Sequence, residues 1–196
     1  MTSEGIAGMD KLAEDILEFW SSAGAESWYL QSAELDGQIR ERYEAAWSDA
    51  LAGKYSHWQL EARSALALVI LLDQFPRNMF RNNKNSFASD RMARCVANKA
   101  IGRNFDQQIE GAMRQFFYLP FMHSESVTDQ DTAVRAFLTR MPEANNLLHA
   151  RVHRQVIRDF GRFPYRNEAL GRESTEKELA YLDAGGYGFT FQNIDK

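Results

Sequence analysis

Apolar residues recur at helical spacing along nearly the whole chain. Met9, Leu12, Ile16, Leu17 and Trp20 form a first stripe, and Leu35, Ile39, Tyr43, Trp47 and Leu51 a second, which Gly53 closes. Trp58 to Gln74 is apolar on every side through its centre and rich in Leu and Ala. That predicts the most buried helix of the fold, ended at Phe75 by Pro76. Ser89 is placed to cap a helix carrying Met92, Val96 and Ala100 as far as Gly102. A helix from about Asp106 carries Ile109, Met113, Phe116 and Phe117, and Pro120 then makes a kink or a junction.

Thr128 and Asp131 resemble a capping box, opening a helix with Ala133, Val134, Phe137, Leu138 and Met141 on one face. From Pro142 another helix runs through Leu148, Val152, Val156 and Phe160 to Gly161. Pro164 suits the first position of a short turn ending near Gly171. Thr175 and Glu178 cap a last short helix, and a loosely held tail is expected from about 184. No segment alternates as a strand does, so the expectation is one all-α domain over residues 1–196, with about eight helices. The 34-residue pattern of tetratricopeptide repeats is not present.

Composition narrows the class. A chain of 196 residues, 44% apolar and 26% charged, with four Trp, seven Tyr and thirteen Phe, has the material for a substantial core. Its net charge of −4 gives no general attraction to phosphate backbones, which argues against a nucleic-acid binder. The single Cys95 cannot form an internal disulfide, and the opening "MTSEGIAGMDK" lacks the basic and apolar runs of a signal peptide. The apolar run Ala65 to Leu72 is too short to span a membrane. Cytoplasm is the expected location.

Two junctions carry the candidate chemistry. "DQFPRN" (Asp73–Asn78) and "FGRFPYRN" (Phe160–Asn167) both write Phe-Pro and then Arg-Asn, where helices are predicted to end. Arginine suits bidentate recognition of carboxylate or phosphate, so Arg77, Arg162 and Arg166, with Asn78 and Asn167, are candidate ligand-binding residues. Asp73 and Gln74 beside the first junction, and His153 near the second, join that set. The same arginines also suit pairing with Asp73, Asp159, Glu168 or Glu173. Past Pro120, His123 is a candidate acid or base with Glu125 to orient it, and a histidine bonded to a helix-end carbonyl is the alternative. No G-x-S-x-G supports a serine hydrolase. His149 and His153 have a metal-compatible spacing without the accompanying ligands, so neither a metal nor a cofactor is called for. Trp28 lies off any stripe and is free to line a pocket.

"ILEFW" at Ile16, "LLDQFPRNMFR" at Leu71, "YLPFMHSE" at Tyr118, and "FGRFPYRN" followed by "LGREST" together resemble an uncharacterised bacterial family, domain of unknown function family 924. The resemblance runs to about Leu182. It implies a fold like the antiparallel α-α superhelix of tetratricopeptide-like proteins, and no known activity. In that family the place of Tyr165 is commonly His, and a basic residue and Gly are common where Asn82 and Asn83 stand.

Three functions fit these residues. The leading one is a polar, arginine-lined cleft binding a small anionic metabolite or a peptide carboxylate. A hydrolase-type enzyme with His123 and Glu125 as acid and base is the second. The third is a helical scaffold with a protein partner, and neither membrane nor nucleic acid enters any of them.

Overall fold

The computed structural model describes residues 9–143 and 145–194. The segment bearing on the signal-peptide reading therefore lies mostly outside the described residues. Among them the protein is all-α, with helices α1 (Lys11–Ala23), α2 (Ala33–Leu51), α3 (Ala62–Val69), α4 (Phe75–Met79), α5 (Asp90–Gly102), α6 (Leu119–Met122), α7 (Val127–Arg140), α8 (Asn146–Phe160), α9 (Glu176–Asp183) and α10 (Tyr187–Asn193).

Local chemistry explains the starts. Asp10 accepts the Leu12 N–H at 2.9 Å to open α1, and Ser32 accepts from Leu35 to open α2. Thr175 and Glu178 make the expected reciprocal capping box of α9. Gly161 ends α8 at φ 71°, a left-handed conformation that glycine adopts without strain.

The central segment departs from expectation at both ends. Trp58 belongs to a separate 3-10 turn (Ser56–Leu60), and the buried helix starts only at Ala62. Nor does Pro76 end it: α3 passes through a π turn (Ile70–Gln74) into α4. Pro76 has no N–H for the Leu72 carbonyl, and the Ser89 hydroxyl donates to that oxygen instead, at 2.5 Å. The Ser89 oxygen in turn accepts from the Trp47 indole at 2.9 Å, so its side chain bridges elements and does not cap α5.

Other differences have similar causes. Residues 106–117 form 3-10 turns around Gly111 rather than an α-helix. The capping box expected of Thr128 and Asp131 is not made, because α7 begins at Val127 and Asp131 pairs with Arg154. The stretch expected as a loose tail includes α10, whose Tyr187 and Phe191 lie against His149 of α8.

The main core joins α1, α2, α3 and α5 to α6 and α7, with Trp20, Tyr43, Phe75, Phe116 and Phe137 wholly enclosed. A smaller apolar cluster gathers Val156, Ile157, Phe163 and Tyr181. Phe75 and Phe163 are both 0% exposed, so each Phe-Pro junction is anchored by its ring.

Candidate functional site

The π turn sets the site. By adding a residue to one turn it directs Asp73 and Gln74 inward, and the Asp73 side chain is fully enclosed. Both Asp73 oxygens lie within 3.0 Å of His123 Nδ1, at the end of α6. Arg77 Nη1 is 3.3 Å from the same carboxylate and donates to the Asp73 carbonyl at 2.6 Å. Gln74 donates its amide to Asp73 as well.

Asp90, the first residue of α5, joins the two junctions. It accepts two bonds from Arg77, at 2.9 and 3.0 Å, in the fork geometry that suits guanidinium and carboxylate. Arg166 Nη1 stands 3.9 Å from Oδ2 of that carboxylate and donates to the His123 carbonyl at 2.9 Å. The Arg166 guanidinium lies between the rings of Phe163 and Phe87, 4.3 and 4.7 Å from their centres. Among the described residues its Nε and Nη2 find no acceptor, and they are not sealed from solvent.

The charge states follow from these neighbours. Burial opposes ionisation of Asp73, but His123 and Arg77 overcome it and hold the carboxyl below its ordinary value. Burial, reinforced by the Arg77 cation and opposed by Asp73, holds His123 below the ordinary histidine value. At neutral pH the pair is a carboxylate accepting Nδ1–H from a neutral imidazole, which leaves Nε2 with a lone pair. Among the described residues Nε2 has no partner, and it too is open to solvent. Arg166 is lowered by burial and by Arg77 while remaining a cation.

His153 lies beside this cluster, its ring 5.5 Å from that of Phe163 and its Nδ1 bonded to the His149 carbonyl at 2.9 Å. Burial pushes it down to about 3. Tyr165 stacks on Phe163 and keeps 41% of its surface, and desolvation raises its phenol while Arg166 opposes the rise.

The remaining candidates stand apart. Glu125 does not orient His123: its carboxylate takes two bonds from Arg172 and one from the Phe163 N–H. Burial would raise Glu125, and these partners lower it. Arg162 pairs with Glu178 at 2.6 and 2.7 Å and pulls that carboxyl down to about 2. Asn167 donates to Ser174 behind the same pair, and Asn78 donates to Asp36, which also holds Arg81. The arginine pairings expected with Asp159 and Glu168 are replaced by these.

His123 borders two shallow concavities. One, of about 150 Å³, is walled by Trp28, Gln74, Arg77, Asn78, Arg81 and His123. The other, of about 360 Å³, is bordered by Asp90, Arg94, His123 and Glu125. A larger groove of about 680 Å³ lies elsewhere, along Glu14, Glu18, Arg63 and Glu110. It holds none of the enclosed polar groups, and its carboxylates outnumber its cation, so it is not the choice for an anion.

The sequence model of the bacterial proteins of unknown function DUF924 matches residues 16–186. The chain belongs to this family. A solved structure of a protein of unknown function from Agrobacterium tumefaciens is 41% identical, covering 89% of this chain and 98% of its own, with a TM-score of 0.85. No curated protein matches. Among the described residues of this DUF924 member no three His, Cys, Asp or Glu side chains gather to hold a metal, and no helix is long and apolar enough to cross a membrane.

Sequence reasoning missed Asp90, Arg81, Asp36, Phe87 and Arg172. Asp90 had a local signal, an acid at the first position of a helix, but that placement is common for dipole reasons alone. Its link to Arg77 and Arg166 exists only in space.

Proposed function

We propose that this DUF924 member binds a small carboxylate at the junction of Asp90, His123 and Arg166. The observation that carries the reading is Arg166: its side chain is 9% exposed, its nearest carboxylate is 3.9 Å away, and two of its nitrogens have no acceptor among the described residues. Arg77, by contrast, has a two-bond partner in Asp90. A buried guanidinium short of an acceptor is costly, and an anionic ligand relieves that cost.

The charge balance favours a single negative charge. Asp73 and Asp90 offset Arg77 and Arg166, so a ligand meets one under-paired guanidinium rather than a field of cations. A carboxylate matches that; a doubly charged phosphoryl group usually meets several cations.

Titration calorimetry with succinate, acetate and inorganic phosphate is the test. Succinate should bind more tightly than phosphate, and Arg166→Gln should weaken it by tenfold or more, about 1.4 kcal/mol. Absence of succinate binding, or equal binding by the variant, removes the reading.

A further inference from the structure

We propose that Asp73 and His123 form a general-base dyad that activates water to hydrolyse an ester of a small carboxylate-bearing molecule. This inference rests on the carboxylate reading of Arg166 and adds a reaction to it.

The geometry is that of an imidazole prepared to take a proton. Asp73 grips Nδ1 through both oxygens at 2.9 and 3.0 Å, which fixes the ring and its tautomer. Nε2 is then the acceptor, and among the described residues nothing occupies it. A histidine kept for packing alone would satisfy its second nitrogen or bury it against carbon. Asp73 is also a fully enclosed carboxylate, an arrangement that is unfavourable until its partners offset it. A π turn is spent on placing it there, and such turns concentrate where a side chain must be aimed.

The reaction follows from what surrounds Nε2. No hydroxyl, thiol or amine of the described residues is bonded to it, which leaves water as the nucleophile. Nε2 takes a proton from water as the water oxygen bonds to the ester carbonyl carbon. The tetrahedral oxyanion then collapses, the bond to the alcohol oxygen breaks, and that oxygen receives the proton from Nε2. One acid and one alcohol result, with no change of oxidation state. Arg166, bonded to the His123 carbonyl, holds the substrate's other, free carboxylate close to the base. His123 is the catalytic residue, and Asp73 is a positioning residue acting through it.

Monomethyl succinate is the probe, followed by methanol release, because an unactivated ester resists attack by ordinary exposed imidazoles. Methyl butyrate, with the same ester and no carboxylate, is the comparison. Wild-type protein should turn over the succinate ester and discriminate against methyl butyrate by tenfold or more, and Arg166→Gln should abolish that discrimination. His123→Asn should lose about a hundredfold or more in kcat while still binding succinate within about tenfold. Asp73→Asn should lower kcat and displace the acidic limb of the kcat/KM profile, which a purely structural role would not move. If Asp73→Asn fails to fold, the His123→Asn result decides alone.

Succinate binding without hydrolysis by the wild type, or equal hydrolysis by His123→Asn, overturns the dyad and leaves the carboxylate reading standing. No succinate binding and no hydrolysis overturns both.

Discussion

Arg77 and Arg166 converge on one carboxylate, that of Asp90, at 2.9 to 3.0 Å and 3.9 Å respectively. One belongs to each Phe-Pro junction. The repeated motif thus ends in two guanidiniums that would repel each other without the acid beside them, and Arg166 is lowered first by burial and then by the Arg77 cation.

Asp90→Asn should therefore destabilise the protein by about 3 kcal/mol, because removing one partner of a mostly buried pair leaves the other charge uncompensated. Urea unfolding measures it. Arg77→Gln in the same background should cost less than it does alone, since the interaction it removes is already gone. Strictly additive losses would show that Asp90 and Arg77 are not coupled.

Ser89 replaces the hydrogen bond that Pro76 cannot make. Its hydroxyl lies between the Leu72 carbonyl and the Trp47 indole, and it is 0% exposed. Ser89→Ala leaves both groups without that partner, so a loss of about 1–3 kcal/mol is expected. Ser89→Thr, which keeps the oxygen, should recover part of it if the extra methyl is accommodated. A Ser89→Ala variant melting with the wild type would show that the backbone adjusts around Pro76 unaided.

The helices with one apolar face were legible because periodicity reports burial directly: α1, α2, α5, α7 and α8 each overlap the stretch predicted for them, with ends that differ by a few residues. The all-α class and the family followed from the same residues and from the ordered motifs. What failed was punctuation. Pro76 reads as a stop by local rules, yet a distant serine satisfies the freed carbonyl and the chain continues. Thr128 and Asp131 spell a cap two residues too late, since Ser126 takes the N-cap position of α7 and Ser124 donates to Asp129 in its first turn. At the site, residue types were legible and partnerships were not. His123 was singled out with Glu125, two positions from it along the chain, while its partner Asp73 comes from the distant π turn before α4. Arg162 and Asn167 looked equivalent to Arg166, but the capping box of α9 places Glu178 where it takes both.

Phe75 and Phe163 anchor the two junctions from different cores. Phe75 meets Tyr43, Trp20 and Phe19 at ring separations of 4.8 to 6.2 Å, whereas Phe163 meets His153, Tyr165 and the Arg166 cation. Each Phe→Ala change should cost about 3–5 kcal/mol in chemical unfolding. Their functional effects should differ: Phe163→Ala also removes a wall of Arg166 and should weaken succinate binding, while Phe75→Ala should act on stability alone. Equal effects on binding would place the ligand elsewhere.

The acid side of the stability curve should carry the signature of His153. Its folded value, about 3, lies below its ordinary 6.5, so between those limits the unfolded chain takes up a proton that the folded protein does not. Stability from this group is complete above about 6.5 and is lost as pH falls toward 3, approaching about 1.4 kcal/mol per pH unit. His123 acts in the same direction. Glu178, with a folded value of about 2 against an ordinary 4.5, withdraws its contribution only below that ordinary value, so the interval from pH 6.5 to 5 isolates the histidines. His153→Gln keeps a side-chain amide to donate to the His149 carbonyl and removes the titration. Urea midpoints measured across that interval should fall with decreasing pH in the wild type and fall less in the variant. Parallel curves would mean that His153 is already protonated in the folded protein, and that the space beside Phe163 and Arg166 is wetter than its packing indicates.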